Sequence, residues 1–435
     1  MSFPAFRCAP PAWRKNARLA SLAFVLGLGM PQARAADALT LDEALRLAQD
    51  RSRQLSAQDS VSDAARQRAV AARERPDPTL KVGVNNLPVD GPDRFSLTRD
   101  FMTMRSVGVM QELTRGSKLQ ARSARFEREA EVAEASRALA LANLQRATAV
   151  AWLDRHYQER MRDVLTSQRD EARLQIEAAD TAYRSGRGTQ ADVFAARSAV
   201  ALIEDRLAQT ERQIATAKTQ LARWVGAPAT QAIAAPPLLD SVGFHPEDVE
   251  GDWAHHPEIA VLLKREAVAQ ADVDTARADK QADPSVELMY SRRGPAYSNM
   301  VSVNLALPLQ WDQKNRQDRE VAARLATLEQ MRAEREEATR MHAAEALALW
   351  QEWRSSRERL GRHDALLIPL AAERTRATLA AYRGASGPLG GVLEARRGEI
   401  DARLERLRLE METARLWAQL NYLIPAGHQR PAAQP

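Results

Sequence analysis

Few side chains in this sequence have the types and spacing to do chemistry. The one cysteine, Cys8, precedes an apolar run near the N-terminus. A processed chain therefore has no disulfide, thiolate metal site or thiol nucleophile. His255 and His256 are adjacent, which splays their rings on a helix instead of stacking them on one face at i, i+4 spacing. Met102, Met104, Met110, Met289 and Met300 offer soft thioethers of the kind that suit Cu(I) or Ag(I). They fall near the ends of strand patterns, where methionine commonly packs or faces lipid. Asp192 and Glu394 each follow a glycine-rich turn, and the dipole of a first helical turn favours such acids. No nucleophile elbow, phosphate loop or cluster of metal ligands accompanies them. An enzyme reading has no residues to rest on, and no cofactor is implied.

What positions the two acids is a repeat. Tyr183-Arg184-Ser185-Gly186-Arg187-Gly188 and Tyr382-Arg383-Gly384-Ala385-Ser386-Gly387 are glycine-broken turns, each set between two long helical patterns. The helices that follow end alike, in Leu221-Ala222-Arg223-Trp224 and in Leu420-Asn421-Tyr422-Leu423. A duplicated helical hairpin is the first thing to explain. Gly186, Gly188, Gly384 and Gly387 are expected to supply positive φ and close backbone approach, and so to resist bulky substitution.

The N-terminus reads as an export signal. Arg7 to Arg18 form a basic region, Leu19 to Met30 an apolar run, and Ala33-Arg34-Ala35 a small-x-small site, which predicts cleavage between Ala35 and Ala36. The run is too short for a bilayer-spanning helix of ~20 residues. Residues 1–35 hold five cations and no acid, so their removal takes the formal net charge from +5 to about zero. The argument for a nucleic-acid partner disappears with them.

In chain order, Thr40 with Glu43 makes a capping box that opens a helix running to about Arg75. Asp77-Pro78 stops it. Leu80, Val82 and Val84 then alternate with polar residues over 79–85, and Val107 and Val109 alternate over 106–113. These are two strands, each with one apolar face, and Gly116 closes the pair. From Lys118 to about Ser185 nothing breaks a helix, a run of roughly 100 Å at 1.5 Å per residue. A return helix covers 189–224. The second half repeats the order: a helix from His256 to about Ala282, an Asp283-Pro284 stop, and strands over 285–291 and 298–309. A helix from about Gln313 to Tyr382 follows, kinked at Pro369, and one from Leu389 to about Tyr422 closes the pattern. The chain thus divides into a leader (1–35), a first repeat (36–226), a connector (227–251), a second repeat (252–424) and a disordered tail (425–435). The fold class is mainly α with a small β part.

Four strands cannot close a membrane barrel, for which about eight is the minimum. An exported chain with four strands of bilayer-crossing length must pool them with other copies, and a trimer supplies about 12.

In these features the sequence resembles the TolC-like outer-membrane efflux proteins. Leu39-Thr40-Leu41-Asp42-Glu43-Ala44-Leu45, the paired Asp-Pro stops, both tyrosine-glycine turns and the twofold repeat carry the resemblance, from about Leu39 to Ile424. Leu307-Pro308-Leu309-Gln310-Trp311-Asp312-Gln313-Lys314-Asn315-Arg316 resembles the heavy-metal branch, the outer-membrane partners of cobalt-zinc-cadmium and copper-silver exporters. The resemblance implies a homotrimer with a shared 12-stranded barrel in outer-membrane lipid and an α-helical tunnel in the periplasm. That trimer would form the exit duct of a tripartite pump that docks a periplasmic adaptor (membrane fusion) protein and an inner-membrane RND-type transporter. It further implies no covalent chemistry and no cofactor. The two turns, with Tyr183, Gly186, Gly188, Tyr382, Gly384 and Gly387, become the periplasmic tip where the adaptor docks. Asp192 and Glu394 become candidates for a carboxylate ring at the pore constriction, which would select for cations. Gly390 and Gly391 stand where the family often has an acid.

Three further readings remain at this level. Drug efflux or type I protein secretion would suit the same channel. A periplasmic adaptor would show one hairpin flanked by β-rich domains, and a fibrous coiled coil would lack the four strands. The aromatics Trp253, Trp311, Tyr290 and Tyr297 fall around the second strand pair. They suit either an interfacial belt or packing between strands and helices.

Overall fold

The computed structural model describes residues 38–244, 246–247, 253–384 and 386–426. The leader with its cleavage site, Cys8, and the tail from residue 427 lie outside the described residues. Eight helices and four strands make up the described chain: α1 Leu41–Arg51, α2 Arg53–Arg73, β1 Thr79–Asn85, β2 Met104–Glu112, α3 Gly116–Arg184, α4 Gln190–Val225, α5 Pro257–Asp279, β3 Ser285–Arg292, β4 Met300–Ala306, α6 Gln317–Arg362, α7 Ile368–Arg383 and α8 Leu389–Asn421.

Four expectations are corrected. The first helix is broken at Ser52, whose backbone is extended and whose hydroxyl accepts from the Leu55 amide. A serine that caps from inside a helical pattern competes with the i→i−4 ladder. Gly116 does not end a hairpin; it is the first residue of the 69-residue α3. The expected kink at Pro369 is a π turn over His363–Leu367, just upstream. Proline removes one donor and crowds the carbonyl four residues back, here Ala365, and widening the preceding turn relieves that clash. The β4 ladder ends at Ala306 and not at Leu309.

The strands form one antiparallel sheet in the order β1-β2-β3-β4. Its register is self-consistent: Leu80 faces Val109, Val109 faces Leu288, and Leu288 faces Val303. One sheet face therefore carries Leu80, Val82, Val84, Val107, Val109, Leu288, Tyr290, Val301, Val303 and Leu305, all exposed, with Gln111 and Val286 at its helix end and Arg105 and Arg292 at the other. The other carries Lys81, Ser106, Glu287, Ser302 and Asn304, with Lys81 and Glu287 paired at 3.1 Å. β1 and β4 are edge strands, each with no second partner among the described residues.

Helical residues build the main core. Trp152, Leu153, Tyr157 and Leu165 of α3 pack with Leu41 and Ala44 of α1, Ile203, Leu221 and Val225 of α4, and Leu404, Ala414 and Trp417 of α8. The start of the described chain is tied in here: Leu39 pairs with Ile233 as an isolated bridge, and the Trp152 indole donates to the Leu39 carbonyl at 3.1 Å. Buried Arg155 donates to the carbonyls of Ala229 and Gln231 and to Glu159, so no polar atom of its guanidinium is left unpaired against the connector. α3 leaves this core for the strands at Gly116 and for the turns at Arg184, ends roughly 100 Å apart along its rise.

Candidate functional site: the paired helical turns

The structure brings both predicted turns together. Ala179, Val193 and Ala196 of the first hairpin form one buried cluster with Leu389 and Val392 of the second, and Leu379 and Tyr382 pack against it. The turns superpose in sequence at a constant offset: Ala182, Gly188 and Val193 answer to Ala381, Gly387 and Val392. In the first, the amides of Arg187 and Gly188 donate to the Ala182 carbonyl; in the second, the Ser386 amide donates to the Ala381 carbonyl at 2.9 Å. A Cβ on Gly188 or Gly387 would lie 3.2 Å from the β-carbon of Ala182 or Ala381, so close approach explains both glycines.

The expected positive φ holds only for Gly186, at +69°. Gly384 caps α7 at φ −79°, ψ 8°, which any residue adopts. The position that answers to Gly186 is Ala385, and Gly384 answers to Ser185. The two tyrosines also differ: Tyr183 is exposed, while Tyr382 is half-buried against the shared cluster.

Asp192 is the third residue of α4 and completes a capping box. Its Oδ2 accepts from the Thr189 amide at 2.9 Å and the Thr189 hydroxyl at 2.7 Å, and the Asp192 amide donates back to Thr189. The Thr189 hydroxyl and amide hold its carboxyl below the ordinary range. In the second copy Pro388 occupies the cap position without a side-chain bond, and Gly391 stands where Asp192 would. Glu394 is the sixth residue of α8, beyond its first turn, and pairs with Arg374 of α7 at 2.8 Å. Each candidate acid therefore has a partner within its own hairpin.

Adjacency along the chain does not set the rings of His255 and His256 on one face. The structure instead sets His256 against His342 of α6, with Nδ1 and Nε2 3.4 Å apart, and Glu258 3.3 Å from the other His342 nitrogen. Burial pushes the His342 imidazole below its usual range. Trp253, at 6% exposure, packs tilted against His256 and edge-on to His342 inside the main core, the packing role rather than the belt role. A contact spanning 86 residues leaves no mark in local spacing. Among the described residues no three His, Cys, Asp or Glu side chains are placed to hold a metal. No described helix is long and apolar enough to cross a membrane.

Comparison with known proteins gives a consistent result. Residues 44–227 match the outer membrane efflux protein family. No curated protein matches the sequence. Among solved structures, the outer-membrane channel OprN shares 16% identity with a TM-score of 0.74 over 90% of this chain and 91% of its own. The outer membrane protein VceC of Vibrio cholerae shares 16% at 0.71, covering 88% and 95%. CusC shares 13% at 0.71, covering 89% and 92%. The family match spans the first repeat, and the fold shared with these outer-membrane channels extends over about nine-tenths of the chain.

Proposed function

We propose that this chain is the outer-membrane exit duct of a tripartite efflux pump, with its helices in the periplasm. The observation that carries this reading is the sheet: the middle of one face is a broad exposed apolar surface, the opposite face is largely polar, and both edges are open. In water such a sheet would aggregate. In hydrocarbon every backbone group must be paired, so edges must close on other copies. Three copies supply 12 strands with an apolar exterior and a lumen holding Lys81 and Glu287. A second feature supports self-association: α6 and α7 together bury only Leu328, Ala346, Trp353 and Thr375. Helices that expose so much of their circumference are built to be covered.

The turn cluster, farthest from the strands, is the surface for a periplasmic adaptor coupled to an inner-membrane RND-type transporter. Asp192, fixed by its capping box, is the gate residue this reading prefers; Glu394 would join it on release from Arg374. A carboxylate ring there selects for cations. Heavy-metal cations are the substrate class adopted, from the Leu307–Arg316 segment. CusC is among the proteins of like fold.

Detergent-extracted outer membranes should contain a trimer of this chain that conducts ions once reconstituted; a monomer confined to the soluble periplasm overturns the reading. Replacing both Asp192 and Glu394 with alanine should raise single-channel conductance and reduce cation selectivity, and no change removes both from the gate. A deletion strain should be sensitive to metal salts; sensitivity to drugs alone overturns the substrate class.

A further inference from the structure

The apolar face of the sheet does not stop where its ladder stops. β4 ends at Ala306, yet exposed apolar side chains continue at the same period of two through Leu307 and Leu309 to Trp311. Trp311 is 88% exposed. An indole so open to water is costly in a soluble surface and suited to a membrane boundary, where the ring lies among headgroups.

The segment is held from behind. Gln313 donates to Gln310 at 2.8 Å and to the Lys280 carbonyl at 3.4 Å, and Lys280 pairs with Asp318 at 2.6 Å. Asp312 accepts from the amide and side chain of Asn315, which closes a turn directly after Trp311. That turn carries Lys314 and Arg316, with Arg319 one turn on. The acids nearby are already engaged: Asp312 by Asn315, Asp318 by Lys280 and Glu320 by Arg324. The three cations are exposed and form no ion pair or hydrogen bond through their side chains among the described residues.

An indole at the end of a lipid-facing stripe, followed by two uncommitted cations on a pinned turn and a third at the start of α6, has the charge and order of a headgroup site. We propose that Leu307–Arg319 is an interfacial anchor that seats Trp311 at the glycerol level of the helix-side leaflet and binds anionic phospholipid headgroups through Lys314, Arg316 and Arg319. This inference rests on the barrel reading above. It assigns the end of the barrel nearest the helices a preference for anionic lipid that the strands do not supply there, since the outward-facing cations of the sheet, Arg105 and Arg292, lie at its far end.

The test uses the full-length trimer reconstituted in vesicles of phosphatidylcholine and phosphatidylglycerol, with one or the other brominated on its acyl chain. Tryptophan emission should be quenched more by bromine placed high on the chain than by bromine near the bilayer centre, and Trp311→Phe should remove that difference. Brominated phosphatidylglycerol should out-compete brominated phosphatidylcholine at this site by about five-fold for each cation engaged. The triple variant Lys314→Gln, Arg316→Gln, Arg319→Gln should erase the preference while leaving conductance intact. A trimer that inserts and conducts, but whose quenching is unchanged by Trp311→Phe or indifferent to lipid charge, overturns the anchor alone. A chain that never inserts overturns the barrel reading and the anchor with it.

Discussion

The two turns share a backbone and differ in chemistry. Each has a glycine where an added β-carbon would meet an alanine β-carbon at 3.2 Å, and each is followed by a valine in the common buried cluster. Only the first has a capped helix start, with Thr189 and Asp192 closing on each other, whereas Pro388 and Gly391 leave α8 without either half of that device. Chain reversal is therefore what both copies retain, and charge is what distinguishes them. A proline at the cap position still suits the start of a helix, because its fixed φ costs nothing there. It cannot bring a carboxylate to the turn.

Substitution at the close-approach glycines tests the shared part and should have the largest effect. Gly188→Val and Gly387→Val should each destabilise their hairpin by about 1–3 kcal/mol through overpacking, read as faster tryptic cleavage at the turn and a lower melting temperature. Sensitivity in one copy only would break the equivalence. Next comes Gly186→Ala, which places a β-carbon at φ +69° and should cost about 1 kcal/mol. Gly384→Ala, at φ −79°, should be close to neutral by the same measurement.

The caps sharpen the difference. Thr189→Ala should lower protection of the first α4 amides from hydrogen exchange by about 1 kcal/mol. The double change Pro388→Thr, Gly391→Asp should raise protection at the start of α8 by a similar amount. Acid separates the copies further. Because the folded carboxyl of Asp192 titrates below its unfolded value, its contribution is full above the ordinary carboxylate range. It is lost as pH falls through the depressed folded value. Exchange at the α4 start should accelerate over that window, while the start of α8, lacking an acid there, should not respond. Smallest of all, Arg374→Ala breaks an exposed pair with Glu394 and should change stability by only a few tenths of a kcal/mol. A large effect would mean that Glu394 does more than sit on the surface.

Much of this fold was legible along the chain because its signals are local. The period-two pattern of Leu80, Val82 and Val84 marks β1 to the residue, and the absence of Gly and Pro after Lys118 marks α3 to within two residues of its start. Where a local signal was read wrongly, a competing local device had won: an internal cap at Ser52, or a π turn ahead of Pro369. The glycine turns were found, but which glycine needs positive φ depends on the hydrogen bonds that close each turn, and composition does not encode that. His342 against His256 and Glu258 was invisible for a different reason: those residues meet only when α5 packs on α6.

The sequence by itself determined the element order, the duplication, and the alternation that makes each strand two-faced. Those follow from the rise per residue and from side chains pointing to fixed sides of a helix or strand. Only the tertiary structure decided that four separate apolar stripes align into one exposed face and that the stripe runs on to Trp311. It also decided that both turns meet at a single cluster while just one keeps its acid on a helix cap. Register, burial and pairing depend on residues distant in the chain, and those are set when the helices and strands pack.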